Sequence, residues 1–222
     1  MNPYLTVPFK FTDSAWTWLQ EFLDPIATDF QLNAPNNSAL VTIKESDLRD
    51  LQQSIAWSEI VNFMQNYSIT DIQAQLFIYK TLPRARSVIL GNPHIDTAGK
   101  NGTELNVPIR FNILANGDEQ TEMVWWDHDR NSSSVVESTF IRPDGKIIGR
   151  LQARGATLAE KWKIVGEPVA RCSTLAKKQE YASFVKTDIL HALNWTGESS
   201  RIVLSIKCID ISWEDLLQRN AG

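Results

Sequence analysis

The chain has 222 residues, 43% hydrophobic and 22% charged, with a net charge of −4. That balance suits one globular domain with a substantial core; it leaves no room for a second catalytic domain and argues against disorder. No apolar run has the length of a membrane span, the N-terminus lacks the basic and apolar regions of a signal peptide, and two cysteines, Cys172 and Cys208, are too few for a disulfide framework. The expectation is a cytoplasmic protein with reduced core thiols and no membrane partner.

The first element in chain order is a helix over residues 14–23. Trp18, Leu19, Phe22 and Leu23 lie at helical spacing, with Ser14 or Asp13 as N-cap. A short strand over 39–43 follows. From Ser46 to Tyr67 the positions Leu48, Leu51, Ile55, Ile60, Val61 and Met64 mark a long amphipathic helix. Residues 1–72 read as a helical buttress belonging to the same domain as residues 73–222.

After Asp71 the pattern changes to strands: 73–80, then 104–114, a turn at Asn116-Gly117-Asp118, and 121–126, which together predict a hairpin. Pro108 suggests an edge or a bulge. Residues 127–166 are polar and basic and read as an insertion, with a short hairpin around the Arg-Pro-Asp-Gly turn at 142–145 and a loop or helix near 156–163. Strand patterns return at 168–175, 181–190 and 201–211. Such an order predicts a mainly β fold with N-terminal helices, an antiparallel sandwich or barrel with the helices packed on one sheet.

Charge is spread unevenly along this order. Residues 1–75 carry three basic and nine acidic side chains, a balance of −6, whereas residues 141–178 carry nine basic and three acidic, a balance of +6. Two solvated surfaces would account for this; the functional alternative is that the basic segment meets an anionic partner or substrate, small-molecule or macromolecular, with nucleic acid left open. The oligomeric state is not legible.

Two of the three histidines carry the chemistry. His94 opens a His-x-Asp triplet with Asp96, and His191 lies about a hundred residues downstream, at the expected end of another strand. Residues i and i+2 of an extended strand project to one face, so His94 and Asp96 can share a ligand. Two imidazoles and one carboxylate suit a non-haem Fe(II) site with open positions for substrate and oxygen. Arg201, ten residues past His191, adds a planar fork of donors for a carboxylate. The bland alternatives are a surface arginine at a strand start and a hydrogen-bonded histidine at a strand end. A competing cluster, Asp127-His128-Asp129, is disfavoured because adjacent residues point apart. Trp125 and Trp126 alternate faces, so one can wall a pocket while the other packs outward.

In this constellation residues 73–211 resemble the Fe(II)/2-oxoglutarate-dependent dioxygenases. The wording around the motifs, Leu105-Asn106-Val107-Pro108-Ile109, Val124-Trp125-Trp126-Asp127 and His191-Ala-Leu-Asn194 leading to Arg201-Ile-Val-Leu-Ser205, looks like a group of small members, some encoded by bacteriophages. The resemblance implies a double-stranded β-helix of the jelly-roll or cupin-like kind, with His94, Asp96 and His191 as iron ligands. It also implies 2-oxoglutarate as cosubstrate and O2 as oxidant. Arg201 would grip the distal carboxylate, with Ser205 able to share it and Tyr79 or Asn106 placed to hydrogen-bond the cosubstrate. The implied activity is hydroxylation of a C–H bond of an unidentified substrate. Two readings compete: a non-catalytic β-barrel binding or phage structural protein, and a cupin-like metalloenzyme that uses no 2-oxoglutarate.

Overall fold

The computed structural model describes residues 2–33, 40–41, 45–79, 91–96, 109–116, 122–141, 147–172, 180–194 and 201–221. Strand β1 (Tyr4–Pro8) precedes helix α1 (Asp13–Asn33), strand β2 (Leu40–Val41), and helices α2 (Glu45–Gln52) and α3 (Ile55–Gln65). Then come β3 (Ile72–Tyr79), β4 (His94–Ile95), β5 (Ile109–Asn116), β6 (Glu122–Trp125), β7 (Val135–Ile141), β8 (Ile147–Ala153) and α4 (Leu158–Val165). The chain closes with β9 (Ala170–Cys172), β10 (Tyr181–Lys186), β11 (His191–Asn194), β12 (Arg201–Cys208) and α5 (Trp213–Asn220).

The strands form two six-stranded antiparallel sheets, ordered β1-β10-β5-β12-β3-β2 and β7-β8-β4-β11-β6-β9. From β3 onward the chain visits them in turn: β3, β5, β10 and β12 lie in the first sheet, and β4, β6, β9 and β11 in the second. This alternation is the double-stranded β-helix, as the resemblance implied. The β7–β8 hairpin and α4 interrupt it between β6 and β9.

Period-2 alternation decides which residues meet. On β12, Ile202, Leu204, Ile206 and Cys208 join the core beneath α1, α2, α3 and α5, while Arg201, Val203, Ser205 and Lys207 take the opposite face, toward the second sheet. Helix α1 lays Ala15, Leu19, Leu23, Ala27 and Phe30 on the first sheet. It runs ten residues beyond the expected end at Leu23 and passes through Pro25. The buried stripe continues across the proline, which offsets the one backbone bond lost there.

Four expectations are corrected. The single helix over 46–67 is two helices, because Ser54 turns extended and its hydroxyl accepts the Trp57 amide at 3.0 Å while donating to the Leu51 carbonyl at 2.7 Å. A side chain that caps one helix while bonding the end of the previous one leaves the apolar period unchanged. Strands β5 and β6 are not a hairpin: β5 pairs with β10 and β12, and β6 with β11 and β9. His191 begins its strand, not ends it. The segment 127–166 contains the expected hairpin and helix, yet it is no appendage, since β8 pairs with β4. Strand β1 and helix α5 were not anticipated; α5 is capped by Ser212, whose hydroxyl accepts the Asp215 amide.

Both cysteines are buried free thiols, and burial pushes Cys172 up to about 11 and Cys208 up to about 12. Among the described residues no helix is long and apolar enough to cross a membrane.

Candidate metal centre

Strand β4 is two residues long and sits between β8 and β11 in the second sheet. Its pairing with β11 makes His94 and His191 direct partners across the sheet, with ring centroids 4.6 Å apart. Ile95 turns the other way, into the cluster of Val124, Trp126, Leu151 and Leu190. Asp96 therefore emerges beside His94, and its amide donates to the Thr187 carbonyl at 3.0 Å.

His94 Nε2 lies 3.5 Å and His191 Nε2 lies 3.9 Å from the same oxygen, Asp96 Oδ1. Among the described residues these three are the one group able to hold a metal ion, their donor atoms all within 4.8 Å of one another. Each imidazole is oriented the same way. His94 Nδ1 faces the Asn92 carbonyl at 2.7 Å, and His191 Nδ1 faces the Ile189 carbonyl at 2.9 Å. A carbonyl only accepts, so both rings carry hydrogen on Nδ1 and turn Nε2 to the centre. His191 is buried, and burial together with neighbouring His94 lowers it to about 3, so it is neutral at physiological pH. Neutral imidazole is the ligating form.

The carboxylate is set by a residue that the sequence reading missed. Arg110 Nε donates to Asp96 Oδ2 at 2.5 Å, its Nη1 donates to Gln75 Oε1 at 2.5 Å, and its guanidinium sits 5.6 Å from the Phe77 ring centre. Burial pushes the Asp96 carboxyl up, but the Arg110 guanidinium, the strongest opposing influence, outweighs it and holds it well below the usual carboxylate range. Asp96 is thus a carboxylate with Oδ2 occupied and Oδ1 turned to the histidines. A signal existed: in Ile109-Arg-Phe-Asn-Ile, Arg110 and Asn112 alternate with residues of the helix-side core, which places two polar groups inside the barrel.

The inner face of the first sheet grades along β12. Arg201 stands opposite Tyr79; Val203 opposite Phe77 and Leu114; Ser205 opposite Gln75 and Asn112; Lys207 opposite Gln73 and Arg110. A cation beside an aromatic ring is followed by an apolar belt of Phe77, Leu114 and Val203, then by neutral polar groups, then by two cations. Arg201 is 6% exposed, with its guanidinium 5.6 Å from the Tyr79 ring centre, so the surface-arginine alternative is overturned. Ser205 is buried and donates to Asn112 Oδ1 at 2.7 Å. Asn106 lies outside the described residues.

Of the tryptophan pair, Trp125 points inward, stacks on Tyr4 at 5.6 Å and donates to the Lys186 carbonyl. Trp126 points outward against Trp162. Tyr4, Trp125, Cys172 and Val185 pack as an apolar cluster that joins the two sheets on the β1 and β9 side. The Asp127-His128-Asp129 cluster is not a metal site: His128 Nδ1 pairs with Ser132 Oγ at 3.0 Å, and Asp129 accepts the Asn131 amide.

The donor set fits a ferrous ion. Donors about 2.1 Å from an ion on adjacent octahedral corners lie about 3 Å apart. The imidazole–carboxylate separations are 3.5 and 3.9 Å and all three donor atoms lie within 4.8 Å of one another, so the side chains would close in somewhat on an ion.

No protein-family model and no curated protein matches the sequence. Solved structures do. EvdO2 from Micromonospora carbonacea var. aurantiaca, complexed with 2-oxoglutarate, is 10% identical with a TM-score of 0.54, covering 92% of this chain and 85% of that one. A second EvdO2 structure is 9% identical over the same shares, with a TM-score of 0.55. A prolyl hydroxylase from Trichoplax adhaerens in complex with a hypoxia inducible factor peptide is 12% identical, covering 98% of this chain and 87% of that one, with a TM-score of 0.48. The likeness to EvdO2 supports the fold, a double-stranded β-helix.

Proposed function

We propose that this chain is a non-haem Fe(II) and 2-oxoglutarate-dependent oxygenase that hydroxylates a C–H bond of its substrate. The observation that carries the reading is the convergence of two imidazole Nε2 atoms on one carboxylate oxygen, with both rings locked by backbone carbonyls. Bound there, iron would supply activation of O2 coupled to oxidative decarboxylation of 2-oxoglutarate to succinate, which no side chain can do.

The chain's own residues position and shield. His94, His191 and Asp96 would hold the ion, and Arg110 keeps Asp96 ionised with Oδ1 presented. Arg201, beside Tyr79, is a buried cation for the distal carboxylate of 2-oxoglutarate, where a planar fork can bond both oxygens. Phe77, Val203 and Leu114 suit its methylenes, and Ser205, Asn112 and Gln75 line the next rung toward Arg110. The +6 balance over residues 141–178 inclines the substrate class toward an anion.

The test is anaerobic reconstitution with Fe(II) followed by 2-oxoglutarate, reading the weak visible charge-transfer band of the chelate. The wild type shows the band and one bound iron. Asp96→Ala and His191→Ala lose both while retaining wild-type far-UV circular dichroism. Full metal stoichiometry in both variants, or no band in the wild type, refutes the assignment.

A further inference from the structure

The segment that delivers His94 is gripped at every residue from outside its own strand. Gly91 donates to Asn194 Oδ1 at 3.1 Å and its carbonyl accepts Trp162 Nε1 at 2.9 Å. Asn92 donates through Nδ2 to Gln152 Oε1 at 3.0 Å, and its Oδ1 accepts Lys161 Nζ at 3.0 Å. The Pro93 carbonyl accepts the Ala153 amide at 3.0 Å. The Asn92 carbonyl is the atom that fixes the His94 ring. Four of these five anchors come from β8 and α4.

Helix α4 has little else to hold it. Of its eight residues only Val165 is buried, and Leu158 and Ile164 are 39% and 43% exposed. An isolated helix of this length is unstable in water. A capping box between Thr157 and Glu160 starts it, and its end is tied down by Trp126, which packs edge-on to Trp162 at 4.9 Å and donates to the Gly166 carbonyl at 2.8 Å. The two side chains it turns inward, Lys161 and Trp162, are those that reach residues 91 and 92.

We propose that α4 is a positioning element of the metal centre: Lys161 and Trp162 hold residues 91–93 so that the Asn92 carbonyl keeps His94 protonated on Nδ1, with Nε2 turned to Asp96 and His191. The inference rests on reading this site as a metal centre, but its geometric part exists without metal. A carbonyl that drifts from His94 Nδ1 frees the ring to change tautomer and to rotate, and outer-shell partners of ligating histidines typically govern metal affinity by about 10–100-fold. Lys161 and Trp162 act one bond further out, so about tenfold is expected for the pair.

The experiment has two readouts on the full chain. In the metal-free protein, 15N shifts of the imidazoles report the tautomer: the wild type shows His94 protonated on Nδ1, and Lys161→Met combined with Trp162→Phe shows a mixture. Trp162→Phe keeps an aromatic ring to pack against Trp126 while removing the indole N–H donor; Lys161→Met alone shows a smaller shift in the same direction, and Lys161→Arg keeps the wild-type tautomer. Co(II) titration followed by its visible absorption shows about tenfold weaker binding in the double variant and no change in Leu158→Ser. An unchanged tautomer together with Co(II) affinity within about twofold of wild type would overturn the proposal. Wild-type protein that fails to bind Co(II) would instead refute the function proposed above, and the tautomer would still decide the role of α4.

Discussion

Replacing Arg110 with methionine removes the guanidinium from Asp96 while keeping an unbranched side chain of similar reach. In the native protein the two side chains are 10% and 20% exposed and bonded at 2.5 Å. Breaking a buried pair by deleting one partner costs about 3–5 kcal/mol, and the residual exposure places this pair near the lower end, about 3 kcal/mol. In a chain of this size that corresponds to a melting temperature lower by about 6–12 °C. The sign with pH is equally specific. Asp96 in the wild type is held well below its ordinary value, so its contribution is present above the unfolded-state value of about 3.9 and is lost as pH falls through the lower folded value. Without Arg110 the burial contribution gains weight, the folded value rises, and the stability gap between variant and wild type narrows on acidification. Denaturant unfolding of the metal-free proteins from about pH 7 down to about pH 2.5 measures this. A gap below about 1 kcal/mol, or one indifferent to pH, would refute the view that Arg110 compensates a buried carboxylate.

Three further outcomes are expected, the first two from the geometry and the third from the charge pattern of the sequence. Arg201→Ala should spare metal binding and weaken 2-oxoglutarate by about ten- to a few hundredfold, from a charge-assisted bond worth about 1.5–3 kcal/mol, with Arg201→Lys recovering part; calorimetric titration of the metal-loaded protein measures it. Gly91→Ala should destabilise by about 1–3 kcal/mol in denaturant melts and weaken metal binding, because an added Cβ would fall 2.1 Å from the Leu193 carbonyl oxygen and push the His94 segment off β11. Neutralising two or three of Arg142, Lys146, Arg150 and Arg154 should depress substrate turnover but spare substrate-independent decarboxylation of 2-oxoglutarate. That difference should fade with salt, since exposed charges are screened beyond about 8 Å at physiological ionic strength. Of these four, Arg142, Lys146 and the Arg150 side chain lie outside the described residues.

Much of the fold is local information. The period-2 runs at β3, β5, β10 and β12 and the helical faces of α1 and α3 are written in residue order, because a side chain's face depends only on its position along its own element. His94 and Asp96 belong together for the same reason, two residues apart on one extended segment, and the spacing from His191 to Arg201 was enough to bring out the resemblance and with it the double-stranded β-helix. Short elements near the chain ends were harder to read. Strand β1 and helix α5 were missed, and Ser54 breaks a helix at a point where the apolar period continues unbroken.

Pairing between distant strands was decided only in three dimensions. An alternating strand, a turn and a second alternating strand look alike whether the chain folds back as a hairpin or crosses to an opposing sheet, so the separation of β5 from β6 had no local signature. Likewise the direct pairing of His191 with His94, the seat of Arg110 on Asp96, and the reach of Lys161 and Trp162 to residues 91–92 join segments 14 to 97 residues apart. Ligand identities are chemical facts of single residues; whether three of them face one point, in one tautomer and one charge state, depends on register, burial and neighbours that exist only after the sheets have closed.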